Sequence, residues 1–210
     1  YAAGTIHRLY EKHSVKREPK LLIEEFMEGS VHSVDAFIGQ NGEPHILKQI
    51  VDYETGYDIG KSENYHYSRR LPSRLPYGVQ AQMIEVASEG VKALGMKNSP
   101  AHIELILTNA GPKIVEIGAR IGGYRTQMHS FANDIDMIAA ALDIAEGRPV
   151  DIETKTEKCC AVIEIFPDKA GEFVEVSGLE KLLKLPCLIR CRVVPKPGAK
   201  VGLSSEGHKA

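Results

Sequence analysis

Two glutamates, Glu104 and Glu116, stand in short apolar runs and have the chemistry of a metal site. The runs cover residues 103–107 and 113–117 and are rich in β-branched residues, which favours two strands. Carboxylates that face each other across a sheet repel, so a protein that keeps them side by side usually supplies a cation. Such a pair suits Mg²⁺, or Mn²⁺ in its place, because these hard ions complete their shells with water and phosphate oxygens.

Arg120 follows Glu116 by four residues, where the second strand should end. A guanidinium beside a metal can clamp a phosphate or an acyl phosphate through paired hydrogen bonds. Gly122 and Gly123 then allow the backbone to turn tightly or to approach a ligand. The alternative is a surface hairpin with solvated acids and a turn glycine pair. The joint spacing of Glu104, Glu116, Arg120 and the two glycines favours the site.

The two runs must form an antiparallel hairpin if the acids are to meet. Residues 108–112, Thr-Asn-Ala-Gly-Pro, are typical of a turn. Side chains alternate between the two faces of a sheet, so the register decides whether the acids share a face. If the loop centres on Ala110, Glu104 pairs with Glu116. A slip of one residue would put the two acids on opposite faces.

Residues 101–123, AHIELILTNAGPKIVEIGARIGG, resemble the metal-binding signature of the ATP-grasp superfamily. The sequence of this stretch is most similar to the branch of L-amino-acid ligases and carnosine-synthase-like dipeptide ligases. The resemblance implies that Glu104 and Glu116 bind Mg²⁺. It also implies that Arg120 is catalytic, stabilising an acyl phosphate and the tetrahedral species formed by amine attack. Gly118 stands where the superfamily usually has Asn, which implies one ligand fewer for a second metal ion.

Residues 22–29, LIEEFMEG, with the strand ending VDAFI, are similar to the ATP-grasp segment that holds adenine. His32, or its neighbour Val31, falls where the family often has an acid that contacts ribose, and Val31 replaces the expected Glu. For Phe26, Met27, Ile106 and Val115, ordinary core packing is the alternative. The resemblance implies ATP binding by Glu24, Glu25, Phe26, Met27, His32, Ile106 and Val115.

Two further segments carry candidate substrate-binding residues. Residues 52–76 are polar and tyrosine-rich, which predicts a long loop near the substrate or, alternatively, a solvated loop. Residues 124–133 are predicted to be a polar connection. Arg69 or Arg70 is a candidate for binding a substrate carboxylate or phosphate. Together with the glycine pair described above, the candidate substrate-binding residues are Arg69, Arg70, Gly122, Gly123 and Arg125.

The remaining pattern predicts an α+β fold. Residues 1–150 have the order of the second half of an ATP-grasp domain, an antiparallel sheet with flanking helices, as the resemblance implies. Strands are predicted at 21–23, 31–38 and 45–51, and helices at 1–13, 76–95 and 134–146. Residues 151–210 are predicted to be a small, truncated C-terminal α+β module, with strands at 161–166, 173–176 and 188–194 and a helix at 179–185.

Composition excludes several other classes of protein. With 43% hydrophobic and 26% charged residues, the 210-residue chain should fold. A net charge of −2 argues against nucleic acid as a partner, and no apolar run is long enough to span a membrane. Four cysteines without Cys-x-x-Cys spacing favour free thiols in the cytoplasm. The first residue is Tyr, which predicts that an N-terminal part of the same protein is missing.

The function implied by the resemblance is ATP-dependent ligation of a carboxylate to an amine, with ATP and Mg²⁺ as cofactors. The partners would be small-molecule carboxylate and amine substrates and the missing N-terminal part, and a homodimer is left open. One alternative is carboxyphosphate chemistry, as in biotin carboxylase or carbamoyl-phosphate synthetase. The other is a non-catalytic nucleotide-binding or assembly module.

Overall fold

The computed structural model describes residues 22–204, together with residues 6, 7, 10, 11, 16, 18 and 20. The helix predicted for residues 1–13 lies mostly outside these residues. In chain order, the elements are β1 (Ser30–Ile38), β2 (Pro44–Ile46), β3 (Val51–Thr55), a 3₁₀ turn (Tyr57–Ile59), β4 (His66–Leu71), α1 (Tyr77–Ala93), β5 (Ser99–Thr108), β6 (Gly111–Gly118), α2 (Arg125–Asn133), α3 (Met137–Ala145), β7 (Cys160–Ile163), β8 (Gly171–Glu172), α4 (Leu179–Leu182) and β9 (Lys200–Val201).

One antiparallel sheet organises the chain, in the strand order β6-β5-β1-β3-β4-β7. β1 lies at its centre and pairs along its whole length with β5. The opposite edge of β1 is shared between β2 and β3. β8 and β9 form a separate two-stranded sheet. The sheet and its helices confirm the predicted α+β class.

Helix α1 covers one face of the sheet. The side chains of β1 alternate between the two faces, so its even-numbered apolar residues point towards α1. The predicted helix at 76–95 is confirmed by α1. The buried residues of this layer are Val34, Ala36, Ile38, Ile50, Met83, Ala87, Val91, Ala101, Ile103 and Leu105.

The opposite face carries Glu104 and Glu116 and is called here the carboxylate face. Helix α3 covers part of it around Phe37, and α2 covers another part around Val51 and Leu71. The predicted helix at 134–146 is confirmed by α3, where the side chain of Asp136 accepts hydrogen bonds from two backbone amides at 3.0 Å. Because neither helix reaches Glu116, this end of the face stays open.

The prediction of a long loop at 52–76 is wrong. These residues contain most of β3, all of β4 and the 3₁₀ turn between them. The alternation of apolar and polar residues that predicts a strand is missing here, because polar side chains occupy both faces of β4. A bulge also interrupts the pairing at Glu54 and Thr55. Arg69 and Arg70 therefore lie on a strand.

Three other predicted elements differ from the structure. The predicted connection at 124–133 is mostly helix α2 (Arg125–Asn133), whose buried face contains polar residues and so lacks the usual apolar stripe. Residues 22–28 form no strand. The strand predicted at 45–51 is divided between β2 and β3.

The C-terminal residues follow the predicted pattern only in part. β7 begins one residue before the predicted strand at 161–166 and overlaps it, and α4 lies within the predicted helix at 179–185, but residues 173–176 and 188–194 form no strand. β7 joins the main sheet by pairing with β4. The domain boundary after residue 150 stays a prediction. Over the described part of the chain, no helix has the length and apolar character needed to cross a membrane.

Candidate active site

The two glutamates meet because β6 contains one extra residue. Thr108 and Gly111 close the hairpin, so a regular register would set Glu104 opposite Val115. The ladder shifts by one residue at this point, which leaves Val115 without a partner and brings Glu104 opposite Glu116. The predicted pairing of the acids is confirmed, although a bulge rather than the turn alone produces it.

The two carboxylates have different surroundings. The side chain of Glu104 is 20% exposed, whereas that of Glu116 is 56% exposed. A hydrogen bond from His102 lowers the pKa of Glu104 although burial opposes this shift, so the group is ionised at neutral pH. Within residues 22–204 and the few described before them, no group of three or more His, Cys, Asp or Glu side chains is placed to hold a metal ion. Two adjacent carboxylates with open space beside them fit Mg²⁺, which keeps waters and phosphate oxygens in its shell.

A buried chain of charged groups runs behind Glu104. Nε2 of His102 lies 3.4 Å from Glu104 Oε1, and its Nδ1 lies 2.8 Å from Asp35 Oδ1. Burial acts to lower the pKa of His102, but the bonds to the two carboxylates outweigh it and raise the pKa. Burial acts to raise the pKa of Asp35, but His102 and the charge of Arg125 lower it. The carboxylate of Asp35 is therefore ionised inside the protein.

Arg125 completes this chain and is 0% exposed. Its Nε donates to Asp35 at 3.1 Å, and its Nη2 donates to Ser33 at 2.9 Å and to the hydroxyl of Tyr53. The prediction that Arg125 contacts substrate is therefore corrected. Because residue 125 begins a helix that packs on the sheet, its guanidinium is directed inward and is paired with neighbouring side chains and with the backbone carbonyl of Gly123.

Of the two adjacent glycines, only Gly122 is sterically required. A Cβ atom there would lie 2.5 Å from Nδ1 of His102 and 2.7 Å from Cγ of Arg125, closer than real contacts allow. A Cβ atom on Gly123 would have no atom of the described residues within 4 Å. Gly122 therefore closes the turn tightly over the charged chain, whereas its proposed contact with substrate stays a prediction, as does that of Gly123.

Arg120 lies beside the exposed acid. Its Nη2 is 3.5 Å from Glu116 Oε1, and the side chain is half exposed. A Cβ atom on Gly118 would lie 3.4 Å from Cγ of Arg120, so the arginine lies over the position where the superfamily usually has Asn. The guanidinium is free to turn towards a bound anion, since its contact with Glu116 is long and exposed.

Arg69 and Arg70 point to opposite faces of the sheet, because they are neighbours on a strand. Arg69 is on the carboxylate face, in an ion pair with Glu164 and 5.2 Å from the ring centre of Tyr124. Arg70 is on the α1 face, 2.7 Å from Asp52. Of these two candidates, only Arg69 shares the face of the paired acids.

His32 is also on the α1 face and is buried. Its Nδ1 lies 2.9 Å from Asp52. The prediction that His32 contacts ribose beside the acids is therefore wrong, because strand alternation directs it away from them. Val31 has the opposite orientation and pairs with Ile106 on the carboxylate face. These two residues, rather than His32, share the face of Glu104 and Glu116.

The proposed adenine-binding segment is largely exposed. Phe26 is 83% exposed and Val115 is 45% exposed, so core packing does not account for either. Met27 is partly buried. Lys113 lies 3.8 Å from Glu25, which places this segment along β6. The segment is available to a ligand or another domain, and adenine binding by Glu24, Glu25, Phe26 and Met27 stays a prediction.

The model of the ATP-grasp domain family matches residues 2–128. The chain belongs to the ATP-grasp family. It is 26% identical over 176 residues to a phosphoribosylamine–glycine ligase of Phenylobacterium zucineum, covering 77% of this chain and 41% of that protein. It is 28% identical over 141 residues to carnosine synthase 1 of Gallus gallus, covering 61% of this chain and 13% of that protein.

Among solved structures, the L-amino acid ligase from Bacillus licheniformis matches with a TM-score of 0.70 and 23% identity. The match covers 84% of this chain and 43% of that one. At this identity the likeness shows the ATP-grasp fold alone. The chain spans less than half the length of the relatives it matches.

The sequence candidates did not include His102 and Asp35, which lie behind the acids. His102 could have been found, because it stands two residues before Glu104 and so shares its face of the strand. Asp35 carried a weaker signal, a single acid in an apolar strand. Glu164 could not have been found from local pattern, since its contact with Arg69 joins two strands that are distant in sequence.

Proposed function

We propose that this chain is the metal-binding half of an ATP-dependent carboxylate–amine ligase. The observation that carries the proposal is the register that sets Glu104 opposite Glu116, with Arg120 beside them, in an ATP-grasp domain. Glu104 and Glu116 would hold Mg²⁺, with Mn²⁺ as a substitute. When bound, the metal would neutralise negative charge on the ATP phosphates.

The reaction would proceed in two steps. The substrate carboxylate attacks the γ-phosphorus of ATP, which forms an acyl phosphate and releases ADP. The amine then attacks the acyl carbon, so that a C–N bond forms, the C–O bond to phosphate breaks and the amine loses a proton. Arg120 would donate hydrogen bonds to oxygens that gain charge in both steps.

The other parts of the proposal follow from placement on the same face. Val31, Ile106 and residues 24–27, of which Met27 is partly buried and the others are exposed, would contact the nucleotide. A part of the protein outside these 210 residues would supply the remaining nucleotide contacts, since the chain spans less than half the length of its relatives. Small-molecule carboxylate and amine substrates, and a cytoplasmic location, belong to the same proposal.

The test measures phosphate release by the protein expressed from its complete reading frame. Mg-ATP is supplied with single amino acids and with pairs of amino acids. Release that depends on a particular carboxylate and amine, with formation of the amide product, is the expected result. Glu116→Gln should lose this activity because one metal ligand has lost its charge.

A matched control makes the same substitution, Glu to Gln, at a different place in the fold. Glu89→Gln alters an exposed acid on α1, on the opposite face of the sheet, and should leave the rate unchanged. Release that depends on bicarbonate rather than on amino acids would replace the proposal with carboxyphosphate chemistry. Nucleotide binding without any release would identify a non-catalytic module. A Glu116→Gln variant as active as the parent would refute the metal assignment.

A further inference from the structure

His102 stands between a buried carboxylate and a candidate metal ligand. We propose that the Asp35–His102 pair positions Glu104 for metal binding, so that His102 acts as a positioning residue. This inference rests on the proposed function. Its basis is geometric: one ring nitrogen is 2.8 Å from Asp35, and the other is 3.4 Å from Glu104.

The pair has the rigidity that positioning requires. The side chains of His102 and Asp35 are both 2% exposed. Arg125 donates to the second oxygen of Asp35 at 3.1 Å, which fixes that carboxylate from the other side. Gly122 allows the backbone to pass so close to the imidazole that the ring cannot tilt towards it. The orientation of His102 is therefore set by buried groups on both sides of the ring.

The effect on Glu104 follows from this rigidity. The contact of the imidazole with one carboxylate oxygen, at 3.4 Å, restricts the rotation of the side chain and leaves the other oxygen for a metal ion. Partners of metal ligands commonly raise affinity in this way, and removing one typically costs about 10- to 100-fold in metal affinity. Among the described residues, the side chain of Glu116 forms an ion pair only with Arg120, and this pair is exposed, so Glu104 would be the fixed member of the pair.

The chain contains a matched control for this arrangement. His32 is buried, lies on the neighbouring strand and pairs with Asp52 at 2.9 Å, but it faces α1. Removing His32 should perturb the sheet about as much as removing His102, because both changes leave a buried Asp without its imidazole partner. Only the change at His102 should alter the metal site.

The experiment measures Mn²⁺ affinity by electron paramagnetic resonance, with a non-hydrolysable ATP analogue present. It uses the protein from the complete reading frame. His102→Asn keeps an amide donor near Asp35 but is too short to reach Glu104. His102→Gln keeps a donor that can reach Glu104. We expect a loss of about 10-fold or more for His102→Asn, recovery towards the parent value for His102→Gln, and unchanged affinity for His32→Asn.

The outcomes separate this inference from the proposed function. If the parent protein binds no Mn²⁺, or if Glu104→Gln binds it as well as the parent, the metal site itself is refuted. If Glu104→Gln abolishes binding and His102→Asn does not weaken it, the site stands and the positioning role is refuted. Equal losses for His102→Asn and His32→Asn would also refute it, since they would show a general effect of destabilisation. Should His102→Asn fail to fold, His102→Leu and His102→Gln can be compared, and equal affinities would overturn the inference.

Discussion

The guanidinium of Arg69 on β4 forms an ion pair with the carboxylate of Glu164, the residue that follows β7. The hydroxyl of Tyr124 donates to the other oxygen of the same carboxylate at 2.8 Å. The contact therefore joins the sheet, the loop before α2 and the C-terminal residues on the carboxylate face. Arg69 already has a carboxylate partner here, which is the kind of group it was predicted to bind in a substrate.

We expect Arg69 and Glu164 to be energetically coupled. Both side chains are mostly buried, so the pair is poorly screened by solvent. A double-mutant cycle with Arg69→Met and Glu164→Gln should give a coupling free energy of about 1–3 kcal/mol in urea unfolding. Each single change leaves a charged or polar group without its partner, so the double variant should be more stable than the sum of the single effects predicts.

An exposed pair provides the comparison for this cycle. Lys61 lies 2.6 Å from Asp168, but both side chains are well exposed. The corresponding cycle with Lys61→Met and Asp168→Asn should show coupling near zero. Equal coupling in the two cycles would mean that burial does not strengthen the contact between Arg69 and Glu164.

Glu116→Gln should stabilise the protein when no metal is present. Like charges directly opposite each other weaken a sheet, and neutralising the more exposed acid removes the repulsion. The expected gain in the free energy of unfolding is a few tenths of a kcal/mol, up to about 1 kcal/mol. Mg²⁺ or Mn²⁺ should raise the melting temperature of the parent and not that of the variant. The measurement is thermal unfolding with EDTA and with added metal.

Glu89→Gln, far from the pair, should show neither effect. Two results would contradict the prediction for Glu116→Gln. One is a parent protein that is more stable in EDTA than with metal, and the other is a Glu116→Gln variant that is less stable than the parent in EDTA. The second result would mean that Glu116 is held by favourable contacts, above all that with Arg120, which outweigh the repulsion.

The sequence was most informative where side-chain type and spacing reported the same feature. The apolar spacing of α1 and the turn residues of the hairpin were sufficient to place both elements. The pairing of Glu104 with Glu116 was also predicted, but the bulge at Val115 was not. Whether a bulge forms depends on how two strands pack against a helix, and residues 111–118 contain no local pattern that predicts it.

The failures have a common physical cause. Helix α2 and strand β4 carry polar residues on their buried faces, so neither shows the periodicity that predicts an element. Arg125 was read as a ligand-binding residue in a loop, although its charge is balanced inside the protein by Asp35. Buried charge can be recognised only when its partner is known, and these two residues are 90 positions apart.

Gly122→Ala should destabilise the protein, whereas Gly123→Ala should not. The added methyl group at residue 122 would press on the buried ring of His102 and on the side chain of Arg125, neither of which can move without losing hydrogen bonds. The expected cost is about 1–3 kcal/mol in the free energy of unfolding. The same change at residue 123 meets open space and should stay within about 0.5 kcal/mol. Urea unfolding of both variants makes the comparison, and equal effects would contradict the tight packing of the turn.

Acid should weaken the fold through His129. Burial on α2 lowers the pKa of this residue from 6.5 to about 4, so the unfolded chain binds a proton more readily than the folded one. Its contribution to stability is therefore complete above pH 6.5 and is lost as the pH falls towards 4, by about 3 kcal/mol at most.

Burial also lowers the pKa of His66, which adds to the loss of stability in the same pH range. The pKa of His102 is raised, so its contribution is constant below pH 6.5, and Asp35 titrates below 3.8. His129→Gln should consequently reduce the change in unfolding free energy between pH 6.5 and 4. His66→Gln should reduce the same change by a separate amount. A pH dependence identical to that of the parent in His129→Gln would show that the ring is not held neutral in the folded protein.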